Sequence, residues 1–292
     1  MIIVKLMGGL GNQMFQYAAG KSLSVTYNES LLLDITEFTN KIKIRDYTVR
    51  EFGLNNFSIP YTVAAWEIIE KCVPGNKSFF QKLISKIFKK SADCIIITEE
   101  KFHSFKYKPA HQYYLNGYWQ SEDYFKEIRE LLIKEFTLSN ILNENAKEIG
   151  DRINNCESVS LHIRRGDYVT NKTVYNVLGP CSLNYYHRSV NYIKEYVSDP
   201  YFFIFSDDIE WVKSNFKIEI PFEIVENIAP EIEMNLMSKC KHNIIANSSF
   251  SWWGAWLNAN PEKIVIAPKI WFKNQQVNPY EIIPSNWVKI EN

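Results

Sequence analysis

Val159-Ser160-Leu161-His162-Ile163-Arg164-Arg165-Gly166-Asp167-Tyr168 reads as a strand running into a polar turn. Two adjacent arginines at a strand's end, backed by a glycine and a carboxylate, are hard to account for as packing. Guanidinium groups are almost never fully buried without partners. They grip phosphate through paired, fork-like hydrogen bonds, and a neighbouring aspartate can orient one of them or take a proton. The stretch therefore points to the diphosphate grip of an enzyme acting on a nucleotide-activated substrate. A surface turn holding a structural Arg–Asp pair is the other reading.

Strand-like runs follow at Tyr201–Phe205, Phe222–Val225, Asn243–Ala246 and Ile264–Ala267. Helical patterns lie between most of them, as at Ser182–Val197 and Glu231–Lys241. Strands alternating with helices predict a parallel sheet covered on both faces. Two further polar segments, Ser206-Asp207-Asp208 and Asn247-Ser248-Ser249-Phe250-Ser251, also sit just after strands. Ligands of open parallel sheets bind outside the carboxyl ends of the strands, so the spacing predicts all three segments along one rim. A helix beginning near Ser249 offers free N–H groups and short hydroxyls to an anion, or simply starts with a cap. Asp207 and Asp208 suit a nucleotide's base or ribose, or a metal, although they lack Asp-x-Asp spacing. Asp208 equally suits capping a helix over Ile209–Phe216.

The N-terminal part opens with a strand at Ile2–Leu6, a turn at Gly8-Gly9-Leu10-Gly11, a helix from Asn12 to about Val25, and a strand at Leu31–Leu33. The glycines fit a dinucleotide fingerprint only loosely, since Met14 stands at the third glycine position, and no P-loop Lys-Ser/Thr follows. That disfavours a nicotinamide oxidoreductase. Residues 40–115 are less regular. They hold a strand at Cys94–Thr98 and an amphipathic helix at Lys77–Lys90. Five lysines and no acids on that helix suit an anionic membrane surface; a core helix with a solvated basic face is the alternative. Ser121 reads as the N-cap of a helix through Phe136, and a polar helix covers about Asn143–Asn154. The change of rhythm after that helix places a domain boundary near residue 155.

A chain of 292 residues is longer than most single domains. Its 33 basic and 33 acidic residues cancel, which argues against bulk nucleic-acid binding. Five scattered cysteines without a CxxC argue against a disulfide framework or zinc site and for a reducing compartment. The N-terminus reads as a strand rather than a secretion signal. Helical spacing makes Trp252, Trp253 and Trp256 core residues rather than a sugar platform. His103, His111, His187 and His242 have no ligand-like spacing.

Four segments, taken together and in this order, resemble the α-1,2-fucosyltransferases of glycosyltransferase family 11. They are Gly8-Gly9-Leu10-Gly11-Asn12-Gln13-Met14-Phe15-Gln16-Tyr17-Ala18, His162 to Tyr168, Phe205-Ser206-Asp207-Asp208, and Asn247 to Leu257. The resemblance implies an α/β fold of GT-B type, with two Rossmann-like domains facing a cleft. Residues 1–155 would form the acceptor-side domain, and 156–292 a doubly wound parallel sheet binding GDP-fucose. It implies inverting transfer of L-fucose from GDP-β-L-fucose to the 2-hydroxyl of a terminal β-galactoside, with no metal or cofactor. Such an enzyme is expected in the cytoplasm, building bacterial glycans, with peripheral contact to the inner membrane face as one option.

The resemblance also implies roles. Arg164 would hold the β-phosphate, with Arg165 in support. His162 and one of Asp207 or Asp208 would lie near the guanosine. Ser248, Ser249 and Phe250 would cradle phosphate and base. Gly11 and Asn12 would approach the diphosphate and fucose from the opposite domain. Lys172 and Thr173 stand where related α-1,6 enzymes place a glutamate base, so the base stays open. Asp167 is the first candidate for it, with locking onto Arg164 or Arg165 as its alternative. Competing readings are a fucosyltransferase of another linkage or GDP-sugar, and a non-catalytic carbohydrate-binding protein suggested by 15% aromatic residues.

Overall fold

A computed structural model describes residues 1–39, 50–73, 94–102, 104–139, 142–273 and 281–292. Contacts divide the chain into two units, each with its own parallel sheet. The expected helix Lys77–Lys90 lies outside the described residues.

Of the described residues, the first unit takes in those up to Glu135 apart from a short segment, Asn56–Ser58. Its strands are β1 (Ile2–Lys5), β2 (Leu31–Asp34), β3 (Cys94–Ile97) and β4 (Gln112–Leu115), in the order β2-β1-β4-β3. All pairings are parallel. The expected strand–turn–helix–strand opening is present, with the helix at Leu10–Tyr27. That helix buries Met14, Phe15, Ala18 and Ala19. Tyr17 on it donates to Glu135 Oε2 at 2.8 Å, and Lys21 pairs with Glu135 Oε1 at 2.7 Å. These bonds tie the first helix to the last one of the unit, Arg129–Glu135.

Two expectations for this unit are corrected. Cys72 and Cys94 form a disulfide, because the end of helix Trp66–Cys72 lies against the start of β3. Spacing in the sequence carries no sign of that meeting. The helix expected from Ser121 to Phe136 is broken into two short 3₁₀ turns, Glu122–Tyr124 and Lys126–Ile128, before Arg129–Glu135. Phe125 between them adopts φ −151° and ψ 4°, outside the helical region. Ser121 does cap the first turn, accepting from the Asp123 N–H at 3.4 Å.

The second unit holds Asn56–Ser58 and everything from Phe136. Its strands are β5 (Glu157–Ile163), β6 (Pro200–Ser206), β7 (Phe222–Ile224), β8 (His242–Ile244), β9 (Val265–Pro268) and β10 (Val288–Ile290). The order is β10-β9-β8-β5-β6-β7, again all parallel. Alternation along a strand sends successive side chains to opposite faces. Phe202 and Ile204 of β6 join Val159, Leu161 and Ile163 of β5 in one core cluster, under helix Leu183–Tyr196. Phe203 and Phe205 join Leu236 and Met237 in a second cluster on the other face. A sheet covered on both sides needs such near-continuous apolar strands. Helix Glu144–Asn154 belongs here, since Ile149 and Ile153 pack into the second cluster. The contact division thus falls before residue 155, where the change of rhythm had placed it.

The chain leaves β5 toward β6 and β7, then returns to the other side of β5 with β8 to β10. The carboxyl ends of β5 and β8 therefore flank a topological switch point, where open α/β sheets hold ligands. Among the described residues no helix is long and apolar enough to cross a membrane.

Candidate active site

β5 ends in the two arginines, and the structure gives them different partners. The Arg164 guanidinium donates through Nη2 to Asp167 Oδ1 at 2.6 Å, and its Nη1 forms an ion pair with Asp207 Oδ2 at 3.0 Å. Its side chain is 20% exposed. Its buried Nε has no hydrogen-bond partner among the described residues. Burial works against the cation, but the Asp207 and Asp167 carboxylates outweigh it and raise its pKa above the ordinary value. Arg164 thus holds a permanent positive charge in a fixed orientation.

Arg165 turns the other way. Its Nε donates to Asp208 Oδ2 at 3.1 Å, and its guanidinium lies 3.6 Å from the centroid of the Trp211 ring. Carboxylate and aromatic face together hold it against helix Ile209–Asn215. Its backbone N–H donates to Asp207 Oδ1 at 2.8 Å. Asp208 meets its capping reading, its Oδ1 accepting from the Trp211 N–H at 3.4 Å, while its Oδ2 is taken by Arg165. Asp207 is wedged against the backbone, since a Cβ on Gly166 would lie 2.2 Å from Asp207 Oδ2. Only glycine lets the loop approach that carboxylate.

His162 lies on the β5 face opposite Val159 and Leu161. It is buried, with its ring centroid 5.6 Å from that of Phe250. Burial and then the Arg164 charge push its pKa down to about 3, so the ring is neutral near physiological pH. Its Nδ1 is buried without a partner among the described residues.

The segment after β8 joins the same rim. The buried Tyr168 hydroxyl donates to the Asn247 carbonyl at 2.9 Å, linking the loop after β5 to the one after β8. The Asn247 amide donates to the carbonyls of Leu178, Gly179 and Trp271 and is a brace for the surrounding loops. Ser248 is the N-cap of helix Ser249–Leu257, yet its hydroxyl makes no cap bond. The three tryptophans of that helix are buried core residues, as their spacing predicts.

Loops after β5, β6 and β8 thus bring His162, Arg164, Arg165, Asp167, Asp207, Asp208 and Ser248–Phe250 to one rim. Gly11 and Asn12 belong to the first unit. Gly11 is buried at the start of its helix, and the Asn12 Oδ1 accepts from the Gln120 amide at 2.9 Å. Glu233 is an addition that sequence reasoning missed. It lies in the first turn of helix Pro230–Lys239. Burial and the Asp207 charge raise its pKa to about 8. An acid in a helix's first turn is ordinary, so only its three-dimensional neighbour marks it. Among the described residues no cluster of three His, Cys, Asp or Glu side chains could hold a metal ion.

The chain belongs to glycosyl transferase family 11, whose model matches residues 1–291. It is 42% identical over 298 residues to an alpha-1,2-colitosyltransferase of Escherichia coli, covering 99% of each chain. It is 34% identical to an O-antigen biosynthesis glycosyltransferase, WbnK, of the same species, covering 98% of this chain and 99% of that one. A galactoside alpha-(1,2)-fucosyltransferase 2 of Sus scrofa is 26% identical, over 56% of this chain and 50% of its own.

Proposed function

We propose that this family 11 protein transfers L-fucose from GDP-β-L-fucose to the 2-hydroxyl of a terminal β-galactoside, inverting the anomeric centre to give an α-1,2 linkage. The observation that carries the reading is Arg164, a cation braced by two carboxylates at the switch point of the second sheet. In this reading the acceptor oxygen bonds to the fucosyl anomeric carbon as the bond to the β-phosphate oxygen breaks. The acceptor proton is released, and GDP departs with the bonding pair. Arg164 and the N–H groups of helix Ser249–Leu257 face the negative charge that grows on the phosphate. They stabilise the transition state more than the ground state.

Asp167, committed to Arg164 at 2.6 Å, acts as a positioning residue. Asp207 braces the same cation, and Asp208 fixes Arg165. In this reading Arg164 and the N–H groups of helix Ser249–Leu257 meet the charge on the diphosphate, and no divalent cation is assigned to Asp207 or Asp208. His162, Phe250 and Glu233 are assigned to the nucleoside, Ser248 and Ser249 to phosphate. Gly11 and Asn12 are assigned to the donor through the family motif in which they stand. The setting is the assembly of a bacterial glycan.

A second reading has a specific support: the relative at 42% identity is named for colitose. Colitose is fucose without its 3-hydroxyl. A site built to hydrogen-bond that hydroxyl rejects the deoxy sugar strongly, whereas an apolar one discriminates weakly. The deciding experiment offers GDP-fucose and GDP-colitose in competition, with methyl β-galactoside as acceptor. Preference for GDP-fucose supports the first reading and preference for GDP-colitose the second. GDP release from neither donor, in folded protein, overturns both.

A further inference from the structure

The carboxyl ends of β1 and β4 lie side by side, because the two strands pair in parallel. Each runs into a turn that depends on glycine. After β1, Gly8 has φ +76°, a conformation that favours glycine. Its N–H donates to Glu37 Oε1 at 3.2 Å, and its carbonyl accepts from the Gln13 amide at 3.0 Å. A Cβ at Gly8 would lie 2.8 Å from Asn12 Nδ2. The nitrogen end of the Asn12 amide thus rests against bare backbone that is itself held on both sides.

After β4, Glu99 holds the chain, accepting from the backbone N–H groups of both Tyr118 and Trp119. A Cβ at Gly117 would lie 2.9 Å from Glu99 Oε1, so glycine lets the carboxylate come this close. Trp119 is fully buried, its ring centroid 5.5 Å from that of Phe102 and 5.3 Å from that of Tyr124. It has φ +58°, a left-handed conformation that is strained for a bulky residue. The Ser121 N–H then donates to the Trp119 carbonyl at 2.9 Å, which closes a three-residue turn with Gln120 at its apex. Backbone strain persists only where the surroundings enforce it, and it marks a place to look for function. What this loop presents is the Gln120 amide, which donates to Asn12 Oδ1 at 2.9 Å.

We infer that Gln120 is a positioning residue: it fixes the Asn12 amide so that the Nδ2 hydrogens, and not the carbonyl oxygen, are offered to the sugar diphosphate. The inference rests on the assignment of Asn12 to the donor in the functional reading above, and it supplies the residue that orients Asn12. The two ends of a carboxamide are nearly equal in size and opposite in kind, since NH2 donates and C=O accepts. The phosphate oxygens and the ring oxygen of a GDP-sugar only accept. An Asn12 amide turned end for end would set oxygen against oxygen. Shape alone separates these two orientations poorly, whereas a donor committed to Oδ1 selects one. Among the described residues Gln120 is the side chain bonded to Oδ1, and Asn12 Nδ2 has no hydrogen-bond partner.

The test is a double-mutant cycle by initial-rate kinetics, varying GDP-fucose, or GDP-colitose where that is the sugar turned over, against methyl β-galactoside. Circular dichroism checks that each protein is folded. Gln120→Met keeps the length of the side chain and loses the hydrogen bond. Its kcat/KM for the donor should fall about tenfold, or 1.4 kcal/mol. Gln120→Glu brings a carboxylate that only accepts, so it draws Asn12 Nδ2 to itself and turns the carbonyl outward. Its kcat/KM should fall about a hundredfold, the usual cost of one transition-state donor. In an Asn12→Ala background there is no amide to orient, and either change should cost less than about twofold more. Near-normal activity in Gln120→Met, or a smaller loss in Gln120→Glu than in Gln120→Met, overturns the inference. So does a full further loss in the Asn12→Ala background, which a loosened loop or a direct effect of the new charge would give. If wild type turns over neither GDP-sugar, the functional reading fails separately, and isothermal titration with GDP-fucose decides. Binding weakened by Gln120→Met in the wild-type background but not in Asn12→Ala supports the positioning role. Equal affinity in all the variants, or no binding by wild type, overturns it.

Discussion

Gly166→Ala adds one methyl group at the most crowded point of the arginine site. Its Cβ would lie 2.2 Å from Asp207 Oδ2, where real contacts stay above 3.0 Å. The carboxylate must retreat by roughly 0.8 Å, and a side-chain end can ordinarily do so. Here it is held at both oxygens. Oδ2 pairs with Arg164 at 3.0 Å and Oδ1 accepts from the Arg165 N–H at 2.8 Å. Breaking a charge-assisted hydrogen bond costs about 1.5–3 kcal/mol, a rate factor of roughly ten to a hundred if the bond serves the transition state. Misplacing a catalytic group by about 1 Å can itself cost about a hundredfold. We therefore expect kcat/KM to fall about thirtyfold to a hundredfold, with the fold intact by circular dichroism. The assay is GDP release in a double-mutant cycle with Asp207→Ala. Once Asp207 is shortened the clash is gone, so Gly166→Ala should cost little further. Near-normal activity in Gly166→Ala would refute the reasoning. So would a full, additive loss in the Asp207→Ala background.

Arg164→Ala should lower kcat by about a hundredfold, the cost of one transition-state donor. Arg164→Lys should recover little in the same assay, because lysine cannot span Asp167 and Asp207 together. Asp167→Asn should weaken GDP binding by isothermal titration as well as turnover; a loss of kcat alone would return Asp167 to the role of base. Activity should persist in excess EDTA, and its loss there with recovery in Mg²⁺ or Mn²⁺ would show that Asp207 and Asp208 serve a metal. Glu233 has a folded pKa raised to about 8 from an ordinary 4.5, so the folded state binds its proton more tightly. Its contribution is present at low pH and lost as pH rises from 4.5 to 8, by at most about 1.4 kcal/mol per unit. Glu233→Gln should therefore gain Tm relative to wild type as pH rises toward 8. A constant difference across that range would contradict the shift.

The rim of the second sheet was legible because its cause is local. β5 and β6 are short apolar runs followed at once by polar residues, and parallel pairing puts their ends together. Other features depend on distant partners. β4, central in the first sheet, begins with Gln112 and carries two tyrosines, so its apolar pattern is weak. The Tyr114 hydroxyl is satisfied by Asp34, eighty residues away in the chain. The Cys72–Cys94 bond likewise follows from a helix end meeting a strand. Arg164 and Arg165 look equivalent in sequence, and their separation rests on Asp208 and Trp211 capturing only the second. Glu233 gains its interest from its burial and from Asp207, both set by the tertiary fold. The tryptophans of helix Ser249–Leu257 are legible as core residues because helical spacing is itself a packing signal.

The central claim is that the Arg164 site activates a GDP-linked 6-deoxy sugar for transfer to a galactose 2-hydroxyl. Its most direct test is product NMR after incubation of the full chain with GDP-fucose and methyl β-galactoside in EDTA. The account predicts a disaccharide with an α-configured fucosyl anomeric proton correlated through the glycosidic bond to galactose C2. A β anomer, a linkage to another galactose carbon, or binding of the galactoside without any GDP release would contradict it.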